Sequence, residues 1–130
     1  MKTTILLLAI ICTLGCTKED PTTLTGHWEG VYVNQGVEKP FALDLIQAGK
    51  ELCGDFTVYY GVPDYVELDS GFVDGFDVTL YFSFQTAQMI FEGECWNNFT
   101  VMLGGYNFVS EGQWIKGGAW ECYKSYGKPL

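Results

Sequence analysis

Apolar and polar residues alternate with a period of two over most of the chain after residue 25, in short runs. This period is typical of β-strands that have one buried face and one solvent face. Turn residues such as Asn34-Gln35-Gly36 and Asp74-Gly75 separate the runs. The pattern predicts eight strands, which are Gly26–Asn34, Pro40–Ala48, Leu52–Tyr60, Tyr65–Val73, Phe76–Phe84, Ala87–Trp96, Phe99–Tyr106 and Gly112–Tyr123.

The alternation also assigns a face to each side chain. Large aromatic residues fall at the inward positions and predict the core. The predicted core residues are Trp28, Tyr32, Phe56, Phe82 and Phe91. Carboxylates fall at outward positions in mid-strand, as Asp44, Asp55 and Glu92 do. One apolar and one charged face per strand favours an antiparallel sheet wrapped around its own core, and opposes a membrane barrel, whose outer band is apolar.

Eight short antiparallel strands that follow one another close most simply as an up-and-down barrel, because closure leaves no unpaired sheet edge. The sequence therefore predicts an all-β, eight-stranded antiparallel up-and-down barrel over residues 26–126, with a tail at 127–130. A sandwich of two packed sheets is the alternative.

The first residues have a different character. Lys2 and the apolar run Ile5–Leu14 predict a signal peptide over residues 1–15. The apolar run is too short to cross a bilayer core of about 30 Å as a helix. The sequence then continues through a polar tether over residues 16–25 into the first strand.

Leu14-Gly15-Cys16 resembles the lipobox of bacterial lipoproteins. The resemblance implies cleavage before Cys16, lipidation of that residue by fatty acids such as palmitate, and anchoring in a membrane. Thr17-Lys18-Glu19-Asp20 resembles the export stretch of Bacteroidota lipoproteins. Together these resemblances imply an outer-membrane lipoprotein that faces the periplasm or the medium.

The segment Gly26-His27-Trp28-Glu29-Gly30 has the form G-x-W-x-G and resembles the opening of lipocalin-like and avidin-like small barrels. The resemblance implies a barrel whose open mouth takes a small, often apolar ligand. Gly30 stands where an avidin-like biotin site has an Asn, so biotin is not the implied ligand.

Charge and composition narrow the functional classes. The chain has seven Lys, no Arg and sixteen Asp and Glu residues, for a net charge of −9. A protein that binds nucleic acid needs a basic surface, and this composition provides none. The absence of Arg also removes the usual bidentate clamp for phosphate or carboxylate ligands.

The sequence predicts no enzyme and no cofactor. His27 is the chain's single histidine, and the alternation places it on the outer face, where a solvated role is expected. No nucleophile, zinc-hydrolase or phosphate-loop motif occurs. The carboxylates around the fourth predicted strand lack the spacing of a Ca²⁺ loop, so no metal site is predicted. These are Asp64, Glu67, Asp69, Asp74 and Asp77.

Three cysteines follow the tether, namely Cys53, Cys95 and Cys122. An odd number permits at most one disulfide among them. Buried thiols that pack as small apolar groups are the other interpretation.

Two functions remain. In the first, inward aromatic residues near an open end bind a small apolar ligand, with Tyr60, Phe84 and Phe41 as the mouth residues and Trp28 closing the far end. In the second, the core is filled and the lipoprotein acts through protein contacts. Outward apolar residues would form the contact surface, namely Val31, Val33, Ile46, Tyr59 and Tyr81.

The lipobox resemblance leads to a direct test. Cys16→Ser removes the acyl-accepting thiol, and stable anchoring needs two or more acyl chains. We expect the wild-type protein to partition into the detergent phase, and the variant to be aqueous or uncleaved. Equal partitioning of both into the aqueous phase would contradict lipidation.

Overall fold

The computed structural model describes residues 23–60, 62–84, 87–96 and 98–125. These residues form nine β-strands and no helix. None of them belongs to a helix with the length and apolarity of a membrane-spanning segment. The strands are β1 (Gly26–Asn34), β2 (Val37–Ala48), β3 (Glu51–Tyr60), β4 (Val62–Glu67), β5 (Ser70–Asp74), β6 (Asp77–Phe84), β7 (Ala87–Trp96), β8 (Val101–Ser110) and β9 (Gln113–Lys124).

The sheet closes on itself as a barrel. Its strand order is β2-β1-β9-β8-β7-β6-β5-β3-β4, and a ladder between β2 and β3 completes the ring. All pairs are antiparallel, and β1 joins β9 over Trp28–Tyr32, where the first and last strands meet. The prediction of an all-β, eight-stranded up-and-down barrel is confirmed, with β4 as one extra strand on β3.

The fourth predicted strand, Tyr65–Val73, is wrong as a single strand. The chain pairs with β3 up to Glu67 and then turns at Leu68 toward β6. The Leu68 N–H donates to the Gly54 carbonyl at 2.9 Å, and the Asp69 N–H donates to the Tyr81 carbonyl at 2.8 Å. The buried positions change here from an even number at Leu68 to odd numbers at Gly71 and Val73. One extra residue in a strand produces such a shift.

Several predicted strand limits also differ from the structure. Val62-Pro63-Asp64 lies between the third and fourth predicted strands but belongs to β4. The eighth predicted strand began at Phe99, whose positive φ of 63° instead places it in the turn before β8. Tight hairpins decide these limits, because cross-strand pairing continues as far as the turn residues allow.

The barrel has two ends, which differ in structure. We call the end where Thr23 joins the barrel the entry end; β2, β5, β7 and β9 also end there. The opposite end, where β1, β3, β6 and β8 end, is called the mouth end. Antiparallel order places alternate turns at opposite ends.

Aromatic rings fill the barrel interior. Phe56 stacks on Phe82 with ring centroids 4.2 Å apart, and Phe91 lies 5.2 Å from Phe82. On its other side Phe91 stacks on Tyr106 at 5.0 Å and contacts Trp120 at 5.3 Å. These distances are those of favourable aromatic pairs. The column occupies the width that an eight-stranded barrel offers to side chains.

The predicted core residues Trp28, Tyr32, Phe56, Phe82 and Phe91 are all buried. Trp28 lies at the entry end, where its Nε1–H donates to the Leu24 carbonyl at 2.9 Å. Hence the first described residues fold over the indole and satisfy its one polar group.

Trp28 should therefore contribute strongly to stability. We expect Trp28→Ala to lower the free energy of unfolding by about 3–5 kcal/mol, as truncation of a buried aromatic residue does. The matched control is Trp114→Ala, since Trp114 is 61 % exposed and surface changes usually cost within about 0.5 kcal/mol. Urea unfolding of both variants measures the difference. Equal losses would contradict the assigned burial.

Candidate functional site

A small cavity opens at the mouth end of the barrel. Its volume is about 150 Å³. A cavity of about that volume accommodates a molecule the size of benzene, whereas ligand pockets usually measure about 300–1,000 Å³. The lining is mostly apolar and consists of Tyr32, Asn34, Phe56, Val58, Ala87, Met89, Tyr106 and Phe108.

Two tyrosines contribute rings to this cavity. The Tyr106 hydroxyl donates to the Val33 carbonyl at 2.8 Å, which ties β8 to β1. The Tyr32 ring meets the Tyr106 ring edge-on, with centroids 5.7 Å apart. Gly117 makes room for the Tyr106 ring, because a Cβ at position 117 would overlap it. The two rings are thus fixed parts of the barrel interior.

The proposed mouth residues have different positions. Phe41 is fully buried and stacks on Phe56 at 5.2 Å, so it belongs to the ring column and does not line the mouth cavity. Tyr60 ends β3 and Phe84 ends β6, both at the mouth end. Their side chains, like the whole of Cys16, lie outside the described part of the structure.

The outer wall of β1, β9 and β8 carries a shallow apolar groove of about 260 Å³. Val31 and Val33, two of the residues predicted to face outward, lie in it beside Leu103. Glu38 and Glu121 provide carboxylates at the same surface. The groove therefore combines apolar contact area with negative charge.

The other residues predicted to face outward do not join this groove. Tyr59 is exposed, and Tyr81 is half-buried and meets Phe72 edge-on at 6.3 Å. Ile46 is buried, contrary to its predicted outward exposure. Alternation gives the direction of a side chain, but the packing of neighbouring side chains decides how much solvent reaches it.

His27 lies on the outer face, as the alternation predicts, but it is not simply solvated. Its Nδ1 lies 2.7 Å from Asp44 Oδ1 across the β1–β2 ladder, and its Nε2 lies 3.0 Å from Glu29 Oε2. Burial by itself lowers the pKa of His27, but the hydrogen bonds to Asp44 and Glu29 outweigh it and raise the pKa above 6.5. Both ring nitrogens are donors in the protonated form, which suits two carboxylates.

The carboxylates around β4 and β5 do not converge. Asp69 accepts a hydrogen bond from the Ser83 hydroxyl at 2.8 Å, and Asp74 pairs with Lys50 at 3.2 Å on the exposed surface. Among the residues that the structure describes, no group of three or more His, Cys, Asp or Glu side chains is arranged to hold a metal ion.

Cys95 and Cys122 are buried thiols that form no disulfide. They lie on β7 and β9 and face Met102 of the intervening strand β8 from either side. Two strand spacings separate them by about 10 Å, beyond the reach of a disulfide. Burial raises the pKa of both thiols, well above the usual value for Cys122. Thiols of this kind pack as apolar groups and are unreactive.

No protein-family model matches this chain, and a search of curated proteins finds none that is significantly similar.

Two central residues, Trp120 and Tyr106, were not among the predicted core residues. The Trp120 Nε1–H lies within hydrogen-bonding distance of the Glu92 carbonyl at 3.2 Å and the Gly105 carbonyl at 2.9 Å. Period-two alternation of Trp120 with Cys122 on β9 was the available signal. The many glycines of β8 and β9 obscured it, since they have no side chain that marks a face.

The pKa of His27 gives a pH prediction. A pKa raised in the folded state means that protonation stabilises the fold, so this stabilisation is present below about pH 6.5 and is lost as pH rises through the folded pKa. We expect His27→Gln to cost about 1 kcal/mol or less near pH 6, because the group is partly exposed. The cost should shrink near pH 8.5. Urea unfolding at both pH values measures it, and a pH-independent difference would contradict the assignment.

Proposed function

We propose that the protein is a lipid-anchored envelope lipoprotein whose barrel acts as a scaffold for protein contacts. The carrying observation is the filled interior, where the rings of Phe56, Phe82, Phe91, Tyr106 and Trp120 touch one another across the barrel. Among the described residues, a core of this density leaves a cavity of about 150 Å³ at the mouth end of the interior. The exterior of the barrel is then the surface that can act.

The anchor follows from the resemblance of Leu14-Gly15-Cys16 to a lipobox. Lipidation at Cys16 would place the barrel at the outer membrane, on the periplasmic or the surface side. The segment between Cys16 and Thr23 is short, so the entry end is the one nearest the membrane. The side walls and the mouth end then remain accessible to partners.

The groove on β1, β9 and β8 is the proposed partner site. Its apolar floor at Val31, Val33 and Leu103 favours a partner with apolar side chains. The carboxylates of Glu38 and Glu121, together with the net charge of −9, favour basic residues beside them. We infer an apolar peptide segment flanked by Lys or Arg, because opposite charges steer association and reject acidic competitors.

A second candidate function has one specific observation in its favour. The mouth cavity is lined by apolar groups such as Met89 and Phe108 and contains Asn34 as a polar group. A neutral molecule of benzene-like size would fit it. This function needs no large chamber, but it limits the ligand to small apolar compounds.

The test places a photoreactive amino acid at position 103 in the full chain within its native membrane. Leu103 is 44 % exposed in the groove; the matched control is Phe72 on β5, which is 48 % exposed on a different wall. We expect a discrete protein adduct from position 103 and none from position 72. Glu38→Lys should reduce the adduct, because it places like charge beside a basic partner.

Two outcomes would contradict the scaffold proposal. One is the absence of an adduct from position 103 in a correctly anchored protein. The other combines two results. The protein takes up an apolar, environment-sensitive dye saturably and Met89→Asp abolishes this uptake, while Glu38→Lys leaves the protein adduct from position 103 unchanged. That second pattern would support the small-ligand function at the mouth.

A further inference from the structure

The entry end carries an aromatic cleft that the proposed partner site does not use. The cleft has a volume of about 620 Å³ and is lined by Phe76, Glu94, Cys95, Trp96, Asn98 and Phe99. Phe76 is 66 % exposed and Trp96 is 52 % exposed, and the Phe76 and Phe99 rings lie 6.4 Å apart. Phe99 is half-buried and packs against the core. Exposed aromatic residues grouped beside it, as Phe76 and Trp96 are, mark an interaction surface.

A chain of hydrogen bonds connects this cleft to the start of the barrel. The Lys124 Nζ donates to the Thr23 carbonyl at 2.6 Å, and the Lys124 N–H donates to the Thr100 carbonyl at 2.8 Å. The Thr100 N–H in turn donates to the Trp96 carbonyl at 3.1 Å. Thr23 and Trp96 therefore belong to the same end of one rigid sheet.

The length of chain before Thr23 limits how far this end can lie from a membrane. Seven residue steps separate Cys16 from Thr23. Even fully extended, they span at most about 25 Å, at about 3.3–3.6 Å per residue. A lipid on Cys16 would therefore keep Thr23, and with it the entry end, within about 25 Å of the bilayer surface.

Charge at the entry end favours neutral over anionic headgroups. Glu94 lines the cleft, and Asp77 lies opposite it in the register of the β6–β7 ladder, so two carboxylates are neighbours there. Lys50 forms a solvent-exposed ion pair with Asp74 at 3.2 Å. Lys124 is buried, with its Nζ directed at the Thr23 carbonyl. A zwitterionic surface avoids the repulsion that an anionic one would exert on these carboxylates.

We propose that Phe76, Trp96 and Phe99 seat the entry end of the barrel in the headgroup region of a zwitterionic bilayer. Trp is enriched at membrane–water interfaces because its ring is apolar and its N–H is polar. This inference depends on the proposed lipid anchor at Cys16, and it adds an orientation: the barrel stands on its entry end, with the mouth end directed away from the membrane.

The test uses Trp fluorescence of the full-length lipidated protein in phosphatidylcholine vesicles. Bromine atoms on the acyl chains near the headgroups quench tryptophans that touch the bilayer. Trp96 and Trp114 lie at opposite ends, separated by about nine residue rises or roughly 30 Å along the sheet, whereas Trp28 and Trp120 are buried. We expect Trp114→Phe to retain the quenching and Trp96→Phe to lose most of it. Phe76→Ala should also reduce the quenching of Trp96, because Phe76 is 66 % exposed in the cleft.

The outcomes separate the orientation from the anchor. Quenching that survives Trp96→Phe and disappears in Trp114→Phe would overturn the proposal in favour of a mouth-first orientation. Vesicle-bound protein without quenching in any variant would overturn it while the anchor stands. Wild-type protein that fails to sediment with vesicles, as Cys16→Ser is expected to fail, would overturn the anchor and the orientation together. A photoreactive amino acid at position 96 that forms an adduct with a protein and none with lipid would overturn the proposal and assign the cleft to a protein partner.

Discussion

The barrel is closed around one column of aromatic rings, and the other features depend on this packing. Phe56, Phe82 and Phe91 touch one another in the middle, while Tyr106 and Trp120 connect them to the last two strands. Close packing of this kind resists any change of volume. Because the rings occupy the centre, polar chemistry is confined to the outer wall and the two ends.

Glycine permits close approaches at two points of the barrel wall, one to a ring of the column and one to a neighbouring strand. The Trp120 ring lies against Gly93, where a Cβ would come within 2.8 Å of the indole. Gly54 has a φ of 145°, and a Cβ there would overlap the Asp44 carbonyl of β2. A ring as large as that of Trp120 therefore fits inside the narrow barrel only because the facing wall carries a small residue, Gly93.

The two ends of the barrel suit different surroundings. The entry end carries exposed aromatic residues at the same end of the sheet as Thr23, whereas the mouth end carries the small cavity. The groove on the side wall lies between them, with its apolar floor and two carboxylates. An anchored barrel with this division meets the lipid at one end and leaves a side wall for protein contact, which is the combination that we propose.

The sequence by itself determined the all-β class, the up-and-down barrel and the inward positions of Trp28 and Phe91, because period-two alternation directly reports one face of a strand. Only the tertiary structure decided the break at Leu68, the pairing of His27 with Asp44, and the filled interior. Register between strands sets the first two, and the combined volume of side chains from different strands sets the third. A single strand's pattern contains neither quantity.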